Sequence, residues 1–127
     1  MSQSILAIQP WWATQSPLTA LVSASAVWLG VAGDVTQRPY VIIGDTSQEF
    51  DKVFGRHQIQ RTKFSLEVFD TTLASVDAIT TQIVTSLGFS TAVTGHTMTV
   101  IQEGEIETAE TPGGYSAKTS WTLWEAF

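Results

Sequence analysis

The 127-residue sequence contains no cysteine. Disulfides, thiolate metal sites and thiol nucleophiles are therefore excluded. Histidine is nearly as scarce. There are 2, His57 and His96, far apart and without the H-x-x-x-H spacing of a metal site. Charge is thin as well: 14% of residues are Asp, Glu, Lys or Arg, against about 25% in an ordinary soluble domain. Basic residues are the scarcest class, 6 Lys and Arg against 12 Asp and Glu, for a net charge of −6. A domain that grips phosphate backbones needs clustered cations, so specific nucleic-acid binding is not expected. No apolar run reaches the ~18 residues that span a bilayer. The opening MSQSILAIQPWWATQS has neither a basic start nor an A-x-A-like cleavage site. No signal peptide is expected, and synthesis in the cytoplasm is the default. The chain has no G-x-G-x-x-G, no G-K-[ST] and no G-x-S-x-G, so phosphate-cradling loops and a nucleophile elbow are missing too.

What remains is a sequence able to build one core. Hydrophobic residues make up 43% and Trp occurs 5 times. A chain of this length buries roughly 65–70% of its unfolded surface on folding, without staples. Ser4–Thr14 reads as a short helix, with Ile5, Ile8 and Trp12 at helical spacing, Ser4 able to cap it and Pro10 liable to kink it. Ser16-Pro17 is a second start signal, opening a brief turn over Leu18–Val22. Val27, Leu29 and Val31 alternate as a strand that Gly33-Asp34 ends. Pro39 holds Arg38 extended. Tyr40–Ile43 is a continuous apolar run, as an inner strand requires, with Gly44-Asp45 as a turn. IQRTKFSLEVFD alternates cleanly, with Thr62, Phe64, Leu66 and Val68 on one face and Arg61, Lys63, Ser65 and Glu67 on the other. Leu73, Val76, Ile79, Ile83 and Leu87 step by three and four, predicting a helix that Gly88 closes. HTMTVIQEGEIETAE is a strand with a bulge near Gly104, TPGG is a turn, and YSAKTSWTLWEAF is the last strand. The order predicts a two-layer α+β fold. It is a small, mainly antiparallel sheet of four to five strands, with one long helix packed on it and a short N-terminal helix. Residues 1–127 form a single domain.

Thr46–His57 shows no hydrophobic period and reads as a long loop, mobile before any assembly. His57 lies near Glu49 and Asp51 there. An acid–base pair is one reading, and an exposed structural histidine is the far commoner one. Asp45, just past a buried strand, stands where enzymes keep a working carboxylate, but nothing nearby supplies it with a nucleophile, a base or a metal set. The charges themselves are sorted. Arg38, Lys52, Arg56, Arg61 and Lys63 hold five of the basic positions, and Glu103, Glu105, Glu107 and Glu110 are expected to crowd the tip of the last hairpin. The bland account is two solvated loops or internal pairing. The sharper account is a basic and an acidic patch that meet across a subunit boundary, as the heterologous contacts of a head-to-tail ring require. Trp11, Trp12 and Trp124 either anchor an interface or close the core.

A short N-terminal helix followed by SPLTALV, AVWLGVAGDV, RPYVIIGD, RHQIQRTKFSLEVFD, a helix carrying D-A-I, and a hairpin ending in WTLWE resembles, over nearly the whole chain, the tail-completion or tail-terminator proteins of long-tailed double-stranded DNA phages. PYVIIG, Pro39–Gly44, is the most characteristic piece. The resemblance implies a virion protein made in the host bacterial cytoplasm. It forms a ring, commonly a hexamer, at the head-proximal end of the tail tube. There it ends tube polymerisation and meets the major tail tube protein on one side and the head-completion connector on the other, while DNA passes through without specific binding. It also implies no catalysis, no cofactor and no membrane contact. The segment with Trp11-Trp12 is not a feature of that family. With the charge pattern, the expected subunit or partner interface comprises Lys52, Arg56, Arg61, Lys63, Glu103, Glu105, Glu107, Trp11 and Trp12. Two other readings stand beside it. One is a small-ligand-binding or hydrolytic α+β domain with Trp28, Trp121 and Tyr115 lining a pocket. The other is a neighbouring head-completion or tube protein.

Overall fold

A computed structural model describes residues 8–30, 37–52, 58–87 and 98–126. Helix α1 is Ile8–Ala13 and α2 is Ser16–Thr19, followed by a 3₁₀ turn at Ala24–Ala26. Strand β1 is Val27–Leu29, β2 is Tyr40–Lys52 and β3 is Gln58–Asp70. Helix α3, Leu73–Leu87, leads to β4, Met98–Thr111, and β5, Gly114–Ala126. The sheet order is β1-β2-β3-β5-β4, with β1 parallel to β2 and every other neighbour antiparallel. This is the expected mainly antiparallel α+β fold. Ser4, Val31–Asp34, Arg56, His57, Gly88 and His96 lie outside the described residues. No helix among the described residues is long and apolar enough to cross a membrane.

β3 is the centre of the sheet, and its sequence alternates as a strand with one covered face must. Thr62, Phe64, Leu66 and Val68 are all buried. Their partners Leu123, Trp121, Thr119 and Ala117 in β5 share that face and are buried with them. Val41 and Ile43 of β2 extend the face. Onto it α3 lays Ile79, Ile83 and Leu87. Thr72 caps this helix, its Oγ1 accepting from the Ser75 N–H at 3.2 Å.

One helix cannot cover this face. Strands of 13 and 14 residues run about 43 Å, whereas the 15 residues of α3 span about 22 Å. The N-terminal pieces cover the remainder, with Ile8, Trp11, Trp12, Leu18 and Val22 joining the same core. Trp12 is fully buried, and its Nε1–H donates to the Val22 carbonyl at 2.9 Å, so the indole leaves no polar atom stranded. The segment expected to anchor an interface is thus interior. Trp11 and Trp12 fill the gap that α3 is too short to close.

Three further expectations are corrected. Thr46–His57 is not a loop from its start, because β2 continues through Lys52. Gly44-Asp45 is not a turn but the site of a bulge. Gly44 pairs with Ser65 and Ser47 with Lys63, so β2 carries one residue more than β3 across this step. And Glu103–Glu110 do not crowd a tip. They run along β4 from its middle, at the edge of the sheet.

The predicted bulge at Gly104 is present. Glu103 pairs with Ser120 and Glu107 with Lys118, which leaves two surplus residues in β4, and Gly104 has φ of +69°. The β4–β5 turn is Pro112-Gly113, with Gly113 at φ of +85°. Arg38 holds this turn to the rest of the sheet. Its guanidinium donates to the Asp70 and Pro112 carbonyls, each at 3.0 Å, and to Thr111 Oγ1 at 3.3 Å. It also lies 5.8 Å and 5.9 Å from the ring centres of Tyr40 and Phe69, which stack on each other at 4.7 Å.

Gly114 faces a tighter restriction than either bulge. A Cβ there would overlap the Asp70 carbonyl oxygen and sit 2.9 Å from Thr71 Cα. At Gly104 a Cβ meets nothing within 4 Å, and only the positive φ opposes it. In urea denaturation, Gly104→Ala is expected to cost about 1 kcal/mol. Gly114→Ala, which displaces backbone from backbone, should cost at least ~2 kcal/mol. Equal effects would show the hairpin to be looser than described. Trp12→Ala removes a buried indole and is expected to cost about 3–5 kcal/mol in the same measurement. A change below 1 kcal/mol would mean that the N-terminal pieces do not seal the core.

Candidate assembly surfaces

With one face of the sheet roofed by helices, the other holds the charged side chains. Cross-strand partners point the same way, so the register gives the rows of this open face. Arg61 stands beside Trp124, Lys63 beside Thr122, Ser65 beside Ser120, Glu67 beside Lys118, and Lys118 beside Glu107. The first of these rows is built from direct contacts. Arg61 donates from Nη2 to Glu49 Oε2 at 2.6 Å, its partner across the β2–β3 ladder, and its guanidinium lies 5.1 Å from the ring centre of Trp124. The pair is partly solvated, at 29% and 56% side-chain exposure, and contributes roughly 0.2–1 kcal/mol.

Lys63 differs. It is exposed at the centre of the same face, and no ion pair to it occurs among the described residues. Next to it Thr122 is only 2% exposed, and its Oγ1 has no hydrogen-bond partner. Nor does the buried Nε1 of Trp124. Lys63, Thr122 and Trp124, together with Arg61, Ser120 and Glu103, line an open groove of about 330 Å³. Buried polar groups are rarely left unpaired, so Thr122 Oγ1 and Trp124 Nε1 stand out in this groove.

Of the residues expected at an interface, the structure therefore brings three together, Arg61, Lys63 and Glu103. It separates Glu105 and Glu107 from them. Glu107 shares a row with Lys118, whereas Lys63 shares one with Thr122, four positions along β5, or about 13 Å. Glu103, Glu105, Ile106, Glu107 and Glu110 are all exposed along the β4 edge. Lys52 closes β2 beside Gln58, at the end of the sheet away from the Pro112-Gly113 turn. Arg56 lies outside the described residues, and Trp11 and Trp12 are in the core. Arg38, grouped in sequence with the basic positions, is occupied in tying β2 and β3 to the hairpin turn.

Sequence reasoning missed Glu49 as the partner of Arg61, because it placed Glu49 in a loop. It also missed the role of Thr122, which looked like any solvent-facing threonine. The pocket imagined between Trp28, Trp121 and Tyr115 does not form from these residues. Trp28 aligns with Ile42 on the open face, while Trp121 is buried on the helix face, its Nε1 donating to Thr119 Oγ1 at 2.8 Å. No group of three His, Asp or Glu able to hold a metal occurs among the described residues.

Arg61 and Lys63 should separate in stability measurements. Arg61→Ala loses an ion pair and a contact over an indole, so it is expected to lower stability by about 1 kcal/mol. Lys63→Ala should stay within about 0.5 kcal/mol of the parent. The reverse order in chemical denaturation would refute the division into a structural and an available cation.

No protein-family model matches this chain, nor does any curated protein sequence. Among solved structures, the chain is similar in fold to a chain from the "Virion of native gene transfer agent (GTA) particle". The TM-score is 0.66 at 14% sequence identity, and the likeness covers 96% of this chain and 92% of the other.

Proposed function

We propose that this protein is a structural virion component of a phage-like particle, acting as a tail terminator. In this reading it forms a closed ring, a hexamer in the family's common form, at the head-proximal end of the tail tube. The ring stops tube polymerisation and offers its other side to the head-completion connector, with DNA passing through the bore. The observation that carries the reading is the fold likeness to a chain of a gene transfer agent virion. It extends over almost all of both chains. The tail-terminator resemblance of SPLTALV, PYVIIG and WTLWE points to the same class of particle.

The physical character of the surface agrees. A net charge of −6 disfavours retention of DNA and suits a bore that DNA slides through. The exposed positions of α3 are Leu73, Ala74, Asp77, Ala78, Thr81 and Thr85, nearly without charge, as suits a surface met by protein. The exposed acidic β4 edge and the groove around Lys63 are unlike surfaces of one copy, and unlike surfaces are what head-to-tail closure requires. No catalytic role and no cofactor enter this reading.

Native mass spectrometry of the purified chain, alone and with the major tail tube protein, is expected to give one closed multiple of the subunit mass. Electron micrographs should show that ring seated on tube ends. Lys63→Glu should weaken self-association roughly tenfold, and raised salt should act in the same direction. A strict monomer that ignores tube protein at all concentrations would overturn the proposal.

A further inference from the structure

The groove on the open face holds buried polar atoms without partners, and the β4 edge carries several exposed carboxylates. The groove side consists of the Lys63 ammonium, the unpartnered and almost fully buried Thr122 hydroxyl, the unpartnered Trp124 Nε1–H and the exposed Ser120 hydroxyl. All stand on one face, since Lys63 and Thr122 are direct cross-strand partners and Ser120 and Trp124 flank Thr122 at alternate positions. Arg61 is already engaged with Glu49, so Lys63 is the cation available to a guest. On the other side, the bulge after Glu103 thrusts two surplus residues out of the ladder. It presents Glu105, Ile106 and Glu107, with Ile106 43% exposed, an apolar side chain between two acids.

Within one chain no hydrogen bond joins this edge to the buried groove atoms. The bulge lies opposite Thr119, between the rows of Ser120 and Lys118, whereas Lys63 pairs with Thr122. Three positions of the ladder separate Thr119 from Thr122, about 10 Å. Glu103, on the β4 wall of the groove, is its only nearby carboxylate besides Glu49 among the lining and pairing residues described. It is exposed and not bonded to Thr122 or Trp124.

We infer that the groove is a socket for the bulged acidic edge of a second copy of this chain, with a carboxylate of Glu105 or Glu107 accepting from Lys63 and Thr122. The two surfaces are different and offset, so the contact is heterologous and passes from copy to copy. The Thr122 hydroxyl gives it specificity beyond charge, because a buried donor is costly to leave unpaired. This inference rests on the ring reading but fails separately from it.

The test uses the full-length chain with either half of the contact removed. One variant carries Lys63→Ala and Thr122→Val; the other carries Glu105→Gln and Glu107→Gln. Each alone is expected to self-associate at least tenfold more weakly than the parent in sedimentation or native mass spectrometry. Mixed, they should form a one-to-one dimer that does not grow, since one intact socket meets one intact edge. Parent-like rings from either variant alone, or failure of the mixture to dimerise while the parent assembles, would overturn the socket and leave the ring. If the parent itself stays monomeric, the ring reading fails, and a synthetic peptide of residues 103–111 decides the socket. Binding to the parent that disappears in the Lys63→Ala, Thr122→Val chain supports it, and no binding to the parent overturns it.

Discussion

The mismatch between sheet and helix governs this protein. Long strands create a strip of apolar surface that must leave water. A single helix half as long as the strip cannot cover it. The chain meets the shortfall by folding its first described residues back over the uncovered end, and two adjacent tryptophans supply the bulk. The consequences spread through the molecule. Trp12 and Trp121 are buried on the helix face, and their hydrogen-bonding atoms find internal acceptors. The chemistry available to a partner is pushed to the bare face and the far edge.

On that bare face, charge is first used internally. Arg61 pairs with Glu49 and lies over Trp124, and Arg38 secures the hairpin turn. Two of the few cations thus serve the monomer. One accessible ammonium beside an unpaired buried hydroxyl discriminates better than a diffuse basic patch. It also shifts attention from the number of basic residues to their surroundings. Lys63 and Arg61 are two positions apart on the same face, yet one is a structural element and the other is open to a partner.

How much of this was legible in sequence depends on the parity of the irregularities. β3, β5 and α3 follow one period from end to end, and reading them was direct. β4 contains a bulge with two surplus residues. An even surplus leaves odd and even positions on their original faces, so the segment still looks like a strand. β2 contains one surplus residue. Odd-numbered Val41 and Ile43 face the helices before it, whereas odd-numbered Glu49 shares the open face with Arg61 after it, so the pattern changes phase in mid-strand. A reader tracking a period of two loses it at Gly44 and sees a loop. With β2 cut short, Glu49 could not be recognised as the neighbour of Arg61. The tryptophans were ambiguous for another reason: burial of an N-terminal segment depends on the relative lengths of a helix and a sheet, which no local window contains. The groove needed the register of three strands and could not be read from any one of them.

The same parity bears on how such a chain can change over generations. At the Gly104 bulge a deletion or insertion of two residues leaves both faces of β4 as they are, and the edge only grows flatter or more prominent. A change of one residue there would exchange the two faces of β4 on one side of the bulge. Related chains should therefore vary in length at this edge by even steps, tuning the prominence of an outer contour while the interior is inherited intact.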